Sequence, residues 1–179
     1  MASIGDPPLG PVPMLYTMTI MSEPPSHWIN VPDWLSIARG DQELPVEFAR
    51  FIAAWEVLLA WRRAQHPYDF SDSNLIAQFK RRLPSLKFDS HPLWRQSLTA
   101  LREMGPVQMM SGSEPMGSCH AMRSDDDFAG LVDVLYTVRC NLFKAGKRPT
   151  NPHDLDLSQR AATVATMIAE ALLSAPEGA

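Results

Sequence analysis

From Pro45 onward, apolar side chains recur every three or four residues, and prolines or glycines punctuate the runs. This pattern confines the chain to amphipathic helices joined by turns, because 3.6 residues per turn brings such positions onto one face. Pro45 suits the first turn of a long helix running to about Gln65, with Phe48, Phe51, Ile52, Trp55, Leu58 and Leu59 at helical spacing. His66-Pro67 ends it. Ahead of it, Asp33 caps a short helix that stops at Gly40. Ser71 or Ser73 caps a third helix carrying Leu75, Ile76, Phe79 and Leu83, stopped by Pro84. Ser90 caps a fourth, with Pro92 in its first turn and Trp94, Leu98 and Leu101 on one face, closed by Gly105-Pro106. Asp125, Asp126 and Asp127 complement the dipole of a fifth helix, which carries Phe128, Leu131, Val132, Leu135, Val138 and Leu142 and ends near Gly146. Asn151-Pro152 marks the next turn. Asp154 or Asp156 then starts a last helix with Leu157, Ala161, Val164, Ile168 and Leu172 on one face. The expectation is an all-α, up-and-down bundle of about five to six helices, in one domain over residues 31–179.

Two segments stand outside this pattern. Residues 1–30 contain Pro7, Pro8, Pro11, Pro13, Pro24 and Pro25 and read as an irregular, proline-rich leader. Residues 106–124 are rich in Met, Gly and Ser, show no strand alternation, and read as a long flexible loop. Five of the ten methionines fall within 104–122, where they would cover an apolar patch or a partner surface.

Composition narrows the function classes. A chain of 179 residues, 45% hydrophobic and 20% charged, can bury a core without disulfides or metal. The net charge of −4 argues against a protein that is basic overall, so any nucleic-acid contact needs a local patch. The two cysteines, Cys119 and Cys140, share no motif spacing, which fits a reducing cytoplasm. The apolar run MLYTMTIM is too short to span a bilayer and lacks the flanks of a signal peptide. The chain reads as soluble, with no membrane contact.

One residue breaks the helical pattern. In TVRCNLFKAGK, residues 137–147, Arg139 lies one turn beyond Leu135 inside the apolar stripe of the fifth helix. A guanidinium there must be paired or must face a polar cleft, because an unpaired buried charge costs several kcal/mol. Two readings stand open. Arg139 is a structural ion-pair partner, of Asp133 or of an acid on the long helix such as Glu56. Alternatively, it is the centre of a phosphate-binding rim completed by Lys144, Lys147 and Arg148, since Arg grips phosphate with a planar fork. A second basic cluster, Lys80, Arg81, Arg82 and Lys87, ends the third helix and reads as a solvated face.

The stretch LYTVRCNLFKAGKRPTNPHDLDL resembles the signature helix and loop of the HEPN superfamily, the higher eukaryotes and prokaryotes nucleotide-binding domains. Arg139, Asn141, Leu142, Phe143, Gly146 and Lys147 match the pattern Arg-Asn-Asn-Leu-Phe-His-Gly-Gly-Lys, and FARFIAAWEVLLAW is similar to the long first helix of such domains. The resemblance covers residues 45–174 in helix order and residues 135–157 at motif level. It implies an all-α bundle that forms a homodimer through the helix carrying Arg139, with two signature helices building one composite site. It implies RNA or a nucleotide as ligand. It further implies a metal-independent endoribonuclease of the toxin or defence type, paired with a small antitoxin-like partner, or a non-catalytic relative. In that scheme Arg139 stabilises the phosphorane. Lys144 takes the place of the proton-handling histidine, although an unperturbed lysine titrates near ~10.4. Asn141, Lys147 and Arg148 contact substrate. No cofactor or metal is required.

Other chemistry is weaker. Cys119-His120 lacks further zinc ligands at suitable spacing, and Cys140 has no identifiable base. His153 lies outside the motif spacing. No phosphate-binding glycine loop and no serine elbow is present.

Overall fold

The computed structural model describes residues 31–66, 71–88, 92–111, 114–143 and 150–175. The proline-rich leader therefore lies outside the described residues. The helices are α1 (Val31–Arg39), α2 (Val46–Gln65), α3 (Asp72–Arg82), α4 (Trp94–Glu103), α5 (Phe128–Phe143) and α6 (Pro152–Ser174). A 3-10 turn, Leu83–Ser85, follows α3 and contains Pro84. The all-α bundle is what the structure shows, with one small addition between α4 and α5.

That addition is an antiparallel hairpin of β1 (Val107–Ser111) and β2 (Glu114–His120). It replaces the flexible loop expected over 106–124. Val107 pairs with His120 and Gln108 with Cys119; the register then shifts, and Met110 pairs with Pro115. Pro115 and Gly117 disfavour strands locally, so sequence alternation could not reveal the hairpin. It forms because it packs against α5, where burial overrides propensity. Of the five methionines in 104–122, Met122 is buried in the core and Met104 packs against it.

α5 is the central element. It touches α2, α3, α6 and both strands. Leu131, Val132, Val134, Leu135, Thr137, Val138, Cys140, Asn141 and Leu142 are all buried on it, which is the signature of a helix covered on nearly every side. α2 lies along α6, and α4 also packs on α6. All five residues assigned to the inner face of the last helix are buried. Phe88 stacks on Trp94 at 3.7 Å and closes the core beside α4.

The helix starts are more specific than the dipole reading. Asp127 caps α5: Oδ1 accepts from Gly130 N at 2.9 Å and Oδ2 from Arg123 N at 3.0 Å. These two amides hold the Asp127 carboxyl below its ordinary value. Gly130 has no room for a side chain, since a Cβ would sit 2.5 Å from Asp127 Oδ2 and 2.9 Å from the Ala121 carbonyl. Asp125 ties α4 to this turn through Thr99 Oγ1 and Arg102 Nη1, each at 2.9 Å. α6 starts at Pro152, ahead of the aspartates expected to begin it, with Asn151 Oδ1 accepting from His153 N at 2.9 Å. α1 begins at Val31, before Asp33, and Gly40 follows it with φ +79°. Such a left-handed residue after a helix favours glycine.

Candidate functional site

Arg139 emerges from α5 towards α2 and the start of α3. Its side chain is 26% exposed, and Nη1 lies 3.1 Å from Asp72 Oδ2. Tyr136 OH donates to the same carboxylate oxygen at 3.1 Å. The guanidinium also lies 5.1 Å from the centroid of Phe143 and 5.9 Å from that of Tyr136, within cation–π range. The acid beside Arg139 is therefore Asp72, the first residue of α3, and neither of the two acids proposed from sequence. Asp133 instead takes Lys80 Nζ at 2.6 Å, with His120 Nδ1 4.0 Å away, and Glu56 is exposed. Lys80 thus leaves the solvated basic face expected of its cluster and ties α3 to α5.

Burial is the largest influence on Tyr136. Together with Cys140 and Asp72 it holds the phenol proton far above the ordinary tyrosine value. Tyr136 is therefore a neutral donor at physiological pH. Cys140 is buried beneath it.

Beside Arg139 is a cavity of about 230 Å³. Arg62 and Arg63 of α2, Ser71, Asp72 of α3 and Arg139 supply its polar wall, and Leu59 and Leu75 its apolar wall. Arg62 is only 2% exposed, whereas Arg63 is exposed at the rim. Nε of Arg139 is buried and has no hydrogen-bond partner among the described residues. Among the described residues its wall holds three guanidiniums and one carboxylate, a set that suits an anion.

Arg62 and Arg63 were not among the residues singled out from sequence. The signal was present: Phe48, Phe51, Trp55 and Leu58 form a buried stripe on α2, and position 62 is its next member. An arginine there breaks the stripe as Arg139 does in α5.

None of the remaining sequence candidates that are described lines this cavity. Asn141 is fully buried, and its Nδ2 donates to the Gln108 carbonyl at 2.8 Å, joining α5 to β1. It does not line the cavity. Lys144, Lys147 and Arg148 lie outside the described residues. Cys119 is exposed, and His153 lies exposed in the first turn of α6. Among the described residues no group of three or more His, Cys, Asp or Glu is placed to hold a metal ion, and no helix is long and apolar enough to cross a membrane.

No family model, no curated protein and no solved structure matches this chain. The fold and the cavity define it as a helical bundle with a cationic pocket beside its central helix.

Proposed function

We propose that the chain is an HEPN-like protein that binds the phosphates of RNA or of a nucleotide at the Arg139 cavity. The observation that carries this reading is the meeting of Arg62, Arg63 and Arg139 on one cavity, with Asp72 the only acid among the described residues that line it. A protein of net charge −4 that gathers three arginines in one place has the local patch that phosphate recognition requires. The motif-level resemblance around Arg139 supports the same ligand class. Lys144 would act beside Arg139 as phosphate ligand or proton donor, with Lys147 and Arg148 extending the basic rim. A homodimer through α5 would meet along Tyr136, Arg139 and Phe143, and Phe143 is 57% exposed. The toxin or defence role, with its antitoxin-like partner, belongs to the same proposal.

A specific observation favours a second reading. The Asp72–Arg139–Tyr136 cluster ties α3 to α5, so Arg139 would act as a structural ion-pair partner in a non-catalytic interaction module. A half-exposed pair of this kind contributes about 0–1 kcal/mol, so Arg139→Ala should remain folded and both readings can be tested on it.

The experiment is incubation of the protein, Arg139→Ala and Lys144→Ala with mixed RNA, with and without EDTA. Cleavage that survives EDTA and vanishes in Arg139→Ala establishes the ribonuclease. Salt-sensitive binding without cleavage, lost in Arg139→Ala, establishes the binding protein. Folded wild type that neither binds nor cleaves RNA or a nucleotide removes the proposal and leaves the ion-pair reading.

A further inference from the structure

The long helix α2 is apolar on two faces. Phe48, Phe51, Trp55 and Leu58 bury one of them in the core. On the other, Val46, Arg50, Ala53, Val57, Ala60 and Ala64 are all exposed. These six fall alternately four and three residues apart, the spacing of a seam that packs against another helix. A single polar residue in such a seam, here Arg50, fixes register. A helix apolar on both faces is ordinarily covered on both. Alongside it, α6 carries a second row at the same spacing: Gln159, Thr163, Thr166, Glu170 and Leu173. Leu173 is 66% exposed. Between the two rows lies a groove of about 670 Å³, floored by the buried Ala54, Ala162 and Ala169.

Among the described residues that line the groove, the only charges are Arg50 on α2 and Glu170 on α6. The face is therefore complementary to itself. A two-fold axis along the groove sets α2 of each copy on α6 of the other, and brings each arginine-bearing rim onto a glutamate-bearing one. The four helices then complete a bundle, and the alanine floor lets them approach closely. We infer that a second copy of this chain docks on the α2–α6 groove. The inference does not rest on the Arg139 reading: Arg62 belongs to the buried side of α2, and the groove is separate from the surface along α5.

The test follows mass against concentration by sedimentation equilibrium, with circular dichroism melts to confirm that each variant is folded. Wild type should be at least a dimer. Val57, 39% exposed on the α2 rim, is the first residue to vary. Val57→Glu places an unpaired carboxylate in an apolar interface twice by symmetry, and should raise the dissociation constant roughly tenfold or more. Arg50→Glu and Glu170→Arg should each weaken association several-fold alone, and a mixture of the two should restore it. The mixture reads a contact between copies and not one within a chain, because each variant keeps two like charges on its own rims. Monomeric wild type overturns the inference, as does a mixture no tighter than its components. A dimer that survives Val57→Glu and is lost in Phe143→Ser overturns it too, and leaves the pairing along α5 standing.

Discussion

Asn141 offers the sharpest test of how this molecule is built, because its motif position implies substrate contact while its surroundings are those of a core residue. Its side chain is fully buried, and its amide donates to the Gln108 carbonyl at 2.8 Å. Asn141→Ala removes the donor from that buried bond, at a cost of roughly 1–3 kcal/mol. The shortened side chain also leaves space between α5 and β1. The expected destabilisation is therefore about 2–4 kcal/mol. For a domain of this size that lowers Tm by roughly 5–15 °C. Urea unfolding followed by circular dichroism measures the loss, and RNA and phosphate titrations of the folded fraction run beside it. If Asn141→Ala melts within about 2 °C of wild type and instead loses ligand affinity, the anchoring argument fails and the side chain acts at the site.

Asp127 should show its capping role in a pH series. Asp127→Ala should cost about 1 kcal/mol at pH 7. The native carboxyl is held below its ordinary value of 3.8, so its contribution is fully present above that value and fades as pH falls through the lower native one. The stability gap between wild type and variant should therefore narrow below about pH 4, and a gap that widens on acidification would contradict the assignment. The two thiols should label at different rates: Cys119 is exposed and reacts at once, whereas Cys140 is 4% exposed and reacts only when α5 opens. Mass spectrometry showing equal rates in native buffer would mean that the buried side of α5 is open to solvent.

Much of the bundle was legible in the sequence because helical periodicity is a local signal. The inner faces of α2, α4 and α6 follow directly from Phe48, Phe51, Trp55 and Leu58, from Trp94, Leu98 and Leu101, and from Leu157, Ala161, Val164, Ile168 and Leu172. The hairpin was not legible, because Pro115 and Gly117 speak against a strand and only the side of α5 that it covers makes it favourable. The burial of Val134, Thr137 and Asn141 beyond the predicted stripe belongs to the same omission. At the site, Arg139 stood out as a charge in an apolar stripe. Its partner Asp72 lies 67 residues away in sequence, a pairing that no local spacing encodes. Arg62 carried the same signal as Arg139 on a different helix.

Asp72 occupies two positions at once. It opens α3, and it is the anion that Arg139 and Tyr136 already hold. On the proposed reading, a phosphate arriving at Arg139 would have to share or displace that carboxylate, so ligand binding and the docking of α3 would draw on one cation. Measured affinity is then a difference between two states of the same arginine, and looser docking of α3 would make the protein a tighter binder.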